Sequence, residues 1–119
     1  MNIPQWVTDI FQSVDAKDTA KFASFLTEDS SFIYANFPPI NGKPEIEAFV
    51  DNFLKSVSST EHRLENYFTD SGHVVTTGMV TYTRHNGTTY QVKFCNIFEM
   101  AGDKIKKYDI FIDSSQLYT

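Results

Sequence analysis

The chain has 119 residues, within the usual range of roughly 100–200 for one domain, and is 41% hydrophobic and 15% aromatic. Its formal net charge of −5 and the lack of a clustered basic face argue against nucleic-acid binding, and no apolar run approaches the ~18 residues of a membrane span. A single cysteine, Cys95, favours a reducing compartment, so we expect one cytoplasmic domain over residues 1–119 with no nucleic-acid or membrane partner.

The chain begins with two predicted helices. Apolar residues recur at helical spacing over 6–14, directly after a proline of the kind that opens a first turn. A second helix is capped by Asp18 or Thr19, and its apolar side extends to Leu26. Residues 31–34 then predict a short strand.

A loop and a third helix complete the first half of the chain. Residues 37–42 contain two prolines and an Asn-Gly pair, which oppose regular structure, so we predict a loop without a strand. From Pro44 to Val57 apolar residues recur at 3–4 spacing, which predicts a helix with one buried face.

The second half of the chain predicts a four-stranded antiparallel meander. From residue 60 the apolar pattern alternates, and each separator holds a Gly beside small polar residues, as hairpin turns require. Helices followed by strands indicate an α+β fold with the helices on one face of the sheet. The predicted strands are 61–69, 73–84, 88–99 and 105–113.

Two stretches of the sequence carry a family resemblance. Residues 14–49 contain Asp-x-x-Asp, Phe-Leu-Thr-Glu-Asp, a strand, Pro-Pro-x-x-Gly and a helix, and residues 102–113 contain a Gly turn and a strand that ends in Asp. Together they resemble the SnoaL-like and ketosteroid-isomerase-like branch of the nuclear-transport-factor-2 superfamily. The resemblance implies a cone-shaped, cystatin-like roll of N-terminal helices on a curved, mainly antiparallel sheet around a pocket. It does not select one activity, because this fold hosts isomerases, cyclases, dehydratases, hydrolases and binders.

The resemblance allows the catalytic positions of ketosteroid isomerases to be compared with this chain. Those enzymes use a carboxylate base, with a tyrosine and a protonated aspartate that hold the enolate oxygen. The position of the base falls on Tyr34, and that of the tyrosine on Ile10. The position of the aspartate falls on Phe94 or Cys95. None of the three groups is kept, so we expect no ketosteroid isomerase activity.

SnoaL-like cyclases often place a catalytic aspartate on the last strand, at the position of Ile110. Asp109 is one residue away, and a step of one residue along a strand reverses the face to which a side chain points. Asp109 is therefore either on the outer face or turned inward by a bulge. Asp113 matches the aspartate that commonly ends this strand, for which we expect a structural role.

Alternation along the strands predicts which side chains line the pocket. The more apolar face should meet the helices, and a few convergent polar groups on it are typical of a small-ligand site. The expected ligand-binding residues are Tyr34, Asn66, Tyr82, Tyr90, Phe94, Asn96, Tyr108 and Ile110.

Two residues are candidates for a catalytic base. His62 is the histidine in a plausible pocket position, and imidazole ionises near neutral pH. Asp109 is the second candidate. A plainer interpretation stays open for both, with His62 paired to a neighbouring carboxylate and Asp109 solvated or facing a dimer partner.

Three functions stay open. The first is binding of a small hydrophobic or aromatic molecule, and the second is a cofactor-free acid–base enzyme of the cyclase, isomerase or dehydratase type. No cofactor or metal is expected, because the three histidines are too far apart to form a ligand set and no phosphate-binding loop is present. The third function is dimerisation, since relatives commonly pair through the outer sheet face and an apolar face needs a cover. The homodimer would form over Val75, Thr77, Met79, Cys95, Ile97 and Phe111.

Overall fold

The structure is a computed structural model that describes residues 2–118. Within these residues, no helix is long and apolar enough to cross a membrane. The elements in chain order are α1 (Gln5–Asp15), α2 (Thr19–Ala23), β1 (Leu26–Tyr34), β2 (Ile40–Asn41), α3 (Lys43–Lys55), β3 (Ser59–Asp70), β4 (His73–Thr83), β5 (Thr89–Ala101) and β6 (Lys104–Ile112).

The strands form one sheet in the order β2-β1-β6-β5-β4-β3. Strands β3 to β6 pair antiparallel in sequence, which confirms the predicted meander. Strand β1 pairs parallel to β6, with Phe32 opposite Tyr108. Helix α1 packs against β3 and α3 against β1, so the helices and the sheet enclose a space between them. The α+β fold expected from the sequence is confirmed.

Local sequence signals explain where the helices begin. Pro4 directly precedes α1, and Pro44 lies in the first turn of α3, where a missing N–H is not needed. The Asp18 side chain caps α2 by accepting a hydrogen bond from the backbone N–H of Lys21 at 3.1 Å. These starts agree with the sequence prediction.

Two of the predicted element boundaries are wrong. Helix α2 ends at Ala23, and Leu26 instead opens β1, where it lies opposite Ile105 of β6. The predicted loop 37–42 contains the short strand β2, which pairs with β1 through Ile40 and Phe32. Both prolines precede the paired residues, so they remove no hydrogen bond from the sheet.

A β-bulge in β3 decides which of its side chains face inward. Leu64 lies opposite Gly78 and Asn66 opposite Thr77, so Glu65 is the extra residue. Gly78 permits this close approach, because a Cβ there would collide with the backbone carbonyl of Arg63. Side chains before and after the bulge therefore follow opposite alternation.

Candidate functional site

A largely enclosed cavity lies between the inner face of the sheet and helices α1, α2 and α3. The centre of a water molecule can reach a volume of about 60 Å³ inside it. On the same measure, a single water molecule requires roughly 10–15 Å³. It therefore holds a few waters or a small organic group. The apolar lining residues are Val14, Phe22, Phe32, Phe49, Val50, Phe53, Leu54, Val80, Phe94, Ile110 and Ile112. The polar lining residues are Tyr34, Thr60, His62, Tyr82, Asn96 and Tyr108.

His62 is tied to a carboxylate at the end of α1. Its Nδ1 lies 2.6 Å from Oδ1 of Asp15, and its backbone N–H donates to Oδ2 of Asp15 at 2.9 Å. The ring packs against Phe11 and Phe94, with centroid separations of 5.1 and 5.5 Å. Within residues 2–118 no hydrogen bond reaches Nε2, so this nitrogen is the one available to a molecule in the cavity.

The Asp15 carboxyl is strongly biased towards its ionised form. Burial alone would raise its pKa, but hydrogen bonds and charge attraction from His62, with a hydrogen bond from Thr60, hold the pKa below its ordinary value of 3.8. The Thr60 hydroxyl donates to Asp15 Oδ1 at 2.8 Å. In the neutral form of His62, Nδ1–H donates to the ionised Asp15, which leaves Nε2 as a lone-pair acceptor.

Tyr34 and Tyr82 form a second polar pair on the cavity wall. Their hydroxyl oxygens lie 3.0 Å apart, and both side chains are buried. Burial raises the pKa of Tyr34 to about 12 and that of Tyr82 further, so both are neutral phenols. One hydroxyl donates to the other, and the proton of the accepting hydroxyl remains free to donate to a ligand.

Asn96 and Tyr108 form a third polar group, on neighbouring strands β5 and β6. Nδ2 of Asn96 donates to the Tyr108 hydroxyl at 3.3 Å. Oδ1 of Asn96 is buried and has no hydrogen-bond partner within residues 2–118. Both residues were expected in the pocket from the alternation of β5 and β6, and both line it.

Three of the expected site residues do not line the cavity. Asn66 follows the bulge in β3, is exposed, and donates to the Thr77 hydroxyl at 2.9 Å, so its predicted inward position is wrong. Asp109 is half-buried between the inward residues Tyr108 and Ile110, and therefore points to the outer face.

Tyr90 is the third of these residues. It lies at the start of β5, stacks on the Tyr82 ring at 6.5 Å, and donates its hydroxyl proton to the Asp113 carbonyl at 2.5 Å. Its hydroxyl is therefore committed outside the cavity, which corrects its expected place in the lining. The other expected positions, Tyr34, His62, Tyr82, Phe94, Asn96, Tyr108 and Ile110, do line the cavity.

The cavity continues towards a second, more open pocket of about 290 Å³. The two pockets share Tyr34, Phe49 and Phe53, so these three aromatic side chains separate the interior from the mouth. Arg84 holds the C-terminal segment beside this mouth, donating to the carbonyls of Gln116 and Leu117 at 2.7 and 2.8 Å. An apolar cavity of roughly 150 Å³ accommodates benzene, so a ligand with an aromatic ring would extend from the inner cavity into the second pocket.

Asp15 is the site residue that sequence reasoning missed. It belongs to the Asp-x-x-Asp segment used for the family resemblance, but its pattern is that of the polar end of a helix. Its partner His62 is 47 residues away, so only the tertiary fold brings them together. Asp113 has the expected structural role, because Oδ1 accepts the backbone N–H and hydroxyl of Ser115.

Side chains on the outer face of the sheet leave some apolar surface exposed. Phe111 is 51% exposed, and Ile97 and Cys95 are half-buried. Burial raises the pKa of the Cys95 thiol, which disfavours the reactive thiolate.

Among residues 2–118, no group of three or more His, Cys, Asp or Glu side chains is arranged to hold a metal ion.

Comparison with known sequences places this geometry in a family. Residues 7–108 match the family described as the SnoaL-like domain. No match was found among curated proteins.

Solved structures share the fold at low sequence identity. An NTF2-like protein of unknown function from Burkholderia pseudomallei superposes with a TM-score of 0.86 at 14% identity, covering 95% of this chain and 92% of that one. A protein from Jannaschia sp. CCS1 that is described as a SnoaL-like polyketide cyclase superposes with a TM-score of 0.82 at 16% identity, covering 93% of this chain and 85% of that one. TerC, co-crystallised with polyporic acid, gives 0.82 at 15% identity, covering 94% and 92%. At these identities the likeness establishes the fold alone.

Proposed function

The chain belongs to the SnoaL-like domain family, and on that premise we propose that it binds a small hydrophobic or aromatic molecule in the conical cavity. The observation that carries the proposal is the lining of this cavity, in which aromatic and aliphatic side chains surround three separate polar groups. Ligand sites commonly combine an apolar wall with a few polar atoms that fix orientation. TerC, which shares the fold, was co-crystallised with polyporic acid.

The proposed function does not include ketosteroid isomerase activity. Tyr34 occupies the position expected for the carboxylate base. Burial raises its pKa to about 12, so it is a neutral phenol and does not act as a base at neutral pH. The position of the oxyanion tyrosine is Ile10, which is fully buried in the core. The groups that ketosteroid isomerases use to abstract the proton and to stabilise the enolate are therefore replaced at these two positions.

Thermal stability measured with a panel of small aromatic compounds tests the proposal. Single-ring compounds with short alkyl groups match the apolar lining and can extend from the cavity towards the second pocket, so we expect saturable increases in Tm for some of them. Polar compounds of the same size, such as short diols, should give none, since most of the lining is apolar. Equal responses to both groups, or no response to any compound, would remove the support for a binding function.

A second candidate function is cofactor-free acid–base catalysis, favoured by the contact between Asp15 and His62. The carboxylate accepts the Nδ1 proton and orients the ring, so that Nε2 can take a proton from a bound molecule. For a ketone, Nε2 would remove a proton from the carbon beside the carbonyl, and the electron pair would form the enolate. The proton returned to carbon would regenerate neutral His62.

Exchange of carbon-bound hydrogen in D₂O tests this second candidate. Phenylacetone is a suitable probe, because the methylene group between its single ring and its ketone carries acidic hydrogens. We expect the wild-type protein to accelerate deuterium incorporation and His62→Gln to return the rate to that of buffer. His85→Gln is the matched control, since His85 lies at an exposed turn and contacts the Lys55 carbonyl. A wild-type rate equal to that of buffer would reject catalysis of this kind and leave binding intact.

We further propose that the protein acts as a cytoplasmic homodimer. The single cysteine, Cys95, favours a reducing compartment. The outer face of the sheet, with Phe111 half-exposed at its surface, would be covered by the second subunit. The dimer is compatible with a ligand in each cavity.

A further inference from the structure

Asn96 carries a buried polar atom that has no partner among the described residues. The residue is only 2% exposed and lines the cavity. Its Nδ2 donates to the Tyr108 hydroxyl at 3.3 Å, whereas Oδ1 has no hydrogen-bond partner within residues 2–118. A buried acceptor without a donor destabilises a fold, so such atoms usually meet water or a ligand.

Tyr108 supplies the complementary donor beside this acceptor. Its hydroxyl oxygen accepts the proton from Asn96, so its own proton is left to donate. Burial and the nearby charge of Asp15 raise the pKa of Tyr108, which keeps the phenol protonated. Both residues line the same cavity, so the pair provides one unused acceptor and one unused donor beside it.

The surroundings of this pair are largely apolar, and the described residues there include no lysine or arginine. The Tyr108 ring contacts the rings of Phe98, Phe32 and Phe22 at centroid separations of 4.5, 5.3 and 5.8 Å. No lysine or arginine is among the described residues that line the cavity. The histidine in the lining, His62, is already paired with Asp15, so a carboxylate or phosphate would lose its hydration here without gaining a counter-charge of its own. Thr76, opposite Asn96 on β4, adds a second buried oxygen without a partner within residues 2–118.

We propose that Asn96 and Tyr108 form a subsite for a neutral hydroxyl group of the ligand. The ligand hydroxyl donates its proton to Oδ1 of Asn96 and accepts the proton of the Tyr108 hydroxyl. A hydroxyl is a small neutral group that can do both at once through one atom, whereas an ether or a ketone can only accept. This inference rests on the proposed binding function and narrows its ligand to a small phenol or alcohol with an apolar body.

A matched pair of probes tests the subsite on the intact protein. Calorimetric titration would compare 4-ethylphenol with ethylbenzene, which differ by the hydroxyl alone, and 4-ethylanisole would serve as the acceptor-only analogue. We expect 4-ethylphenol to bind about tenfold more tightly than either analogue, as befits one or two buried hydrogen bonds. In Asn96→Leu this preference should fall to about threefold or less, with little change for ethylbenzene. Asn66→Leu, the same change on the outer face, should keep the preference.

A measurement on the wild-type protein covers the outcome in which Asn96→Leu does not fold. In ¹H–¹⁵N spectra, 4-ethylphenol should shift the side-chain amide signals of Asn96 more than ethylbenzene does, and leave those of Asn66 unchanged. Equal binding of the phenol and ethylbenzene by the wild-type protein would overturn the subsite while leaving the binding function in place. Binding of none of these compounds would overturn both.

Discussion

Oδ1 of Asp15 lies 2.6 Å from Nδ1 of His62, which connects the last residue of α1 to the beginning of β3. The Thr60 hydroxyl and the His62 backbone N–H bind the same carboxylate, so four polar groups from two elements share one site. The contact is both a structural tie at the edge of the cavity and the feature that orients His62. Its two roles lead to separate predictions.

Asp15→Asn should destabilise the protein at neutral pH and reduce its sensitivity to acid. The folded protein holds the pKa of Asp15 below its ordinary value of 3.8, so the ionised carboxylate stabilises the fold above that value. This contribution is lost as the pH falls through the lowered pKa. We expect a loss of about 1–3 kcal/mol in the free energy of unfolding at pH 7, measured by urea denaturation. The difference from wild type should shrink below pH 3.8.

Asp51→Asn is the control for this prediction, because Asp51 pairs with Lys55 on the solvent side of α3 and its side chain is 42% exposed. It should change the unfolding free energy by less than about 0.5 kcal/mol. A gap between wild type and Asp15→Asn that stayed constant from pH 7 down to pH 2 would show that the carboxylate charge is not the stabilising feature.

The tautomer of neutral His62 should depend on Asp15. In the neutral imidazole of the wild-type protein, Nδ1 carries the proton because it donates to Asp15, and Nε2 is unprotonated. Long-range ¹H–¹⁵N correlation spectra above pH 8 should therefore assign the protonated nitrogen as Nδ1. In Asp15→Ala we expect the Nε2–H form to predominate. The account of ring orientation is wrong if both proteins show the same tautomer.

Gly78→Ala should disrupt the bulge in β3 and destabilise the protein. The added Cβ would meet the backbone carbonyl of Arg63 and lie 3.1 Å from the Phe94 ring, and backbone atoms cannot move aside cheaply. We expect a loss of about 3 kcal/mol or more, or failure to fold. Gly72→Ala is the control: its φ of +78° makes alanine strained, but no atom of the described residues, apart from its two chain neighbours, lies within 4 Å of the new Cβ. Its cost should be about 1–2 kcal/mol, and equal costs would remove the special role of Gly78.

The contrast between β3 and β5 shows what the sequence could predict. Alternation alone placed Phe94 and Asn96 correctly, because β5 runs without a bulge through both positions. The same rule failed for Asn66, since the bulge at Glu65 depends on how closely Arg63 approaches Gly78 on another strand. No local pattern encodes that approach. The pairing of Asp15 with His62 was hidden for the same reason, because it joins elements far apart in the chain.

The outer sheet face should mediate a homodimer, and a single charged substitution on this face should dissociate it. Phe111 is 51% exposed on this face, and a lysine there would have to lose its hydration on association. By light scattering, we expect a dimeric mass for wild type at micromolar concentration and a monomeric mass for Phe111→Lys. Phe37→Lys changes a phenylalanine of the same exposure, 50%, at the mouth of the pocket and should remain dimeric. A monomeric wild-type protein would contradict the prediction.

Filling the cavity tests the binding function most directly. Ile110→Trp places a large ring in the cavity beside Asn96, which lies opposite it on β5, whereas Ile33→Trp makes the same change on the outer side of β1. Titration of 4-ethylphenol, followed by calorimetry on folded samples of all three proteins, is the measurement. We expect saturable binding to wild type and to Ile33→Trp, and at least tenfold weaker binding to Ile110→Trp. Equal affinity in all three proteins, or no binding to wild type, would contradict it.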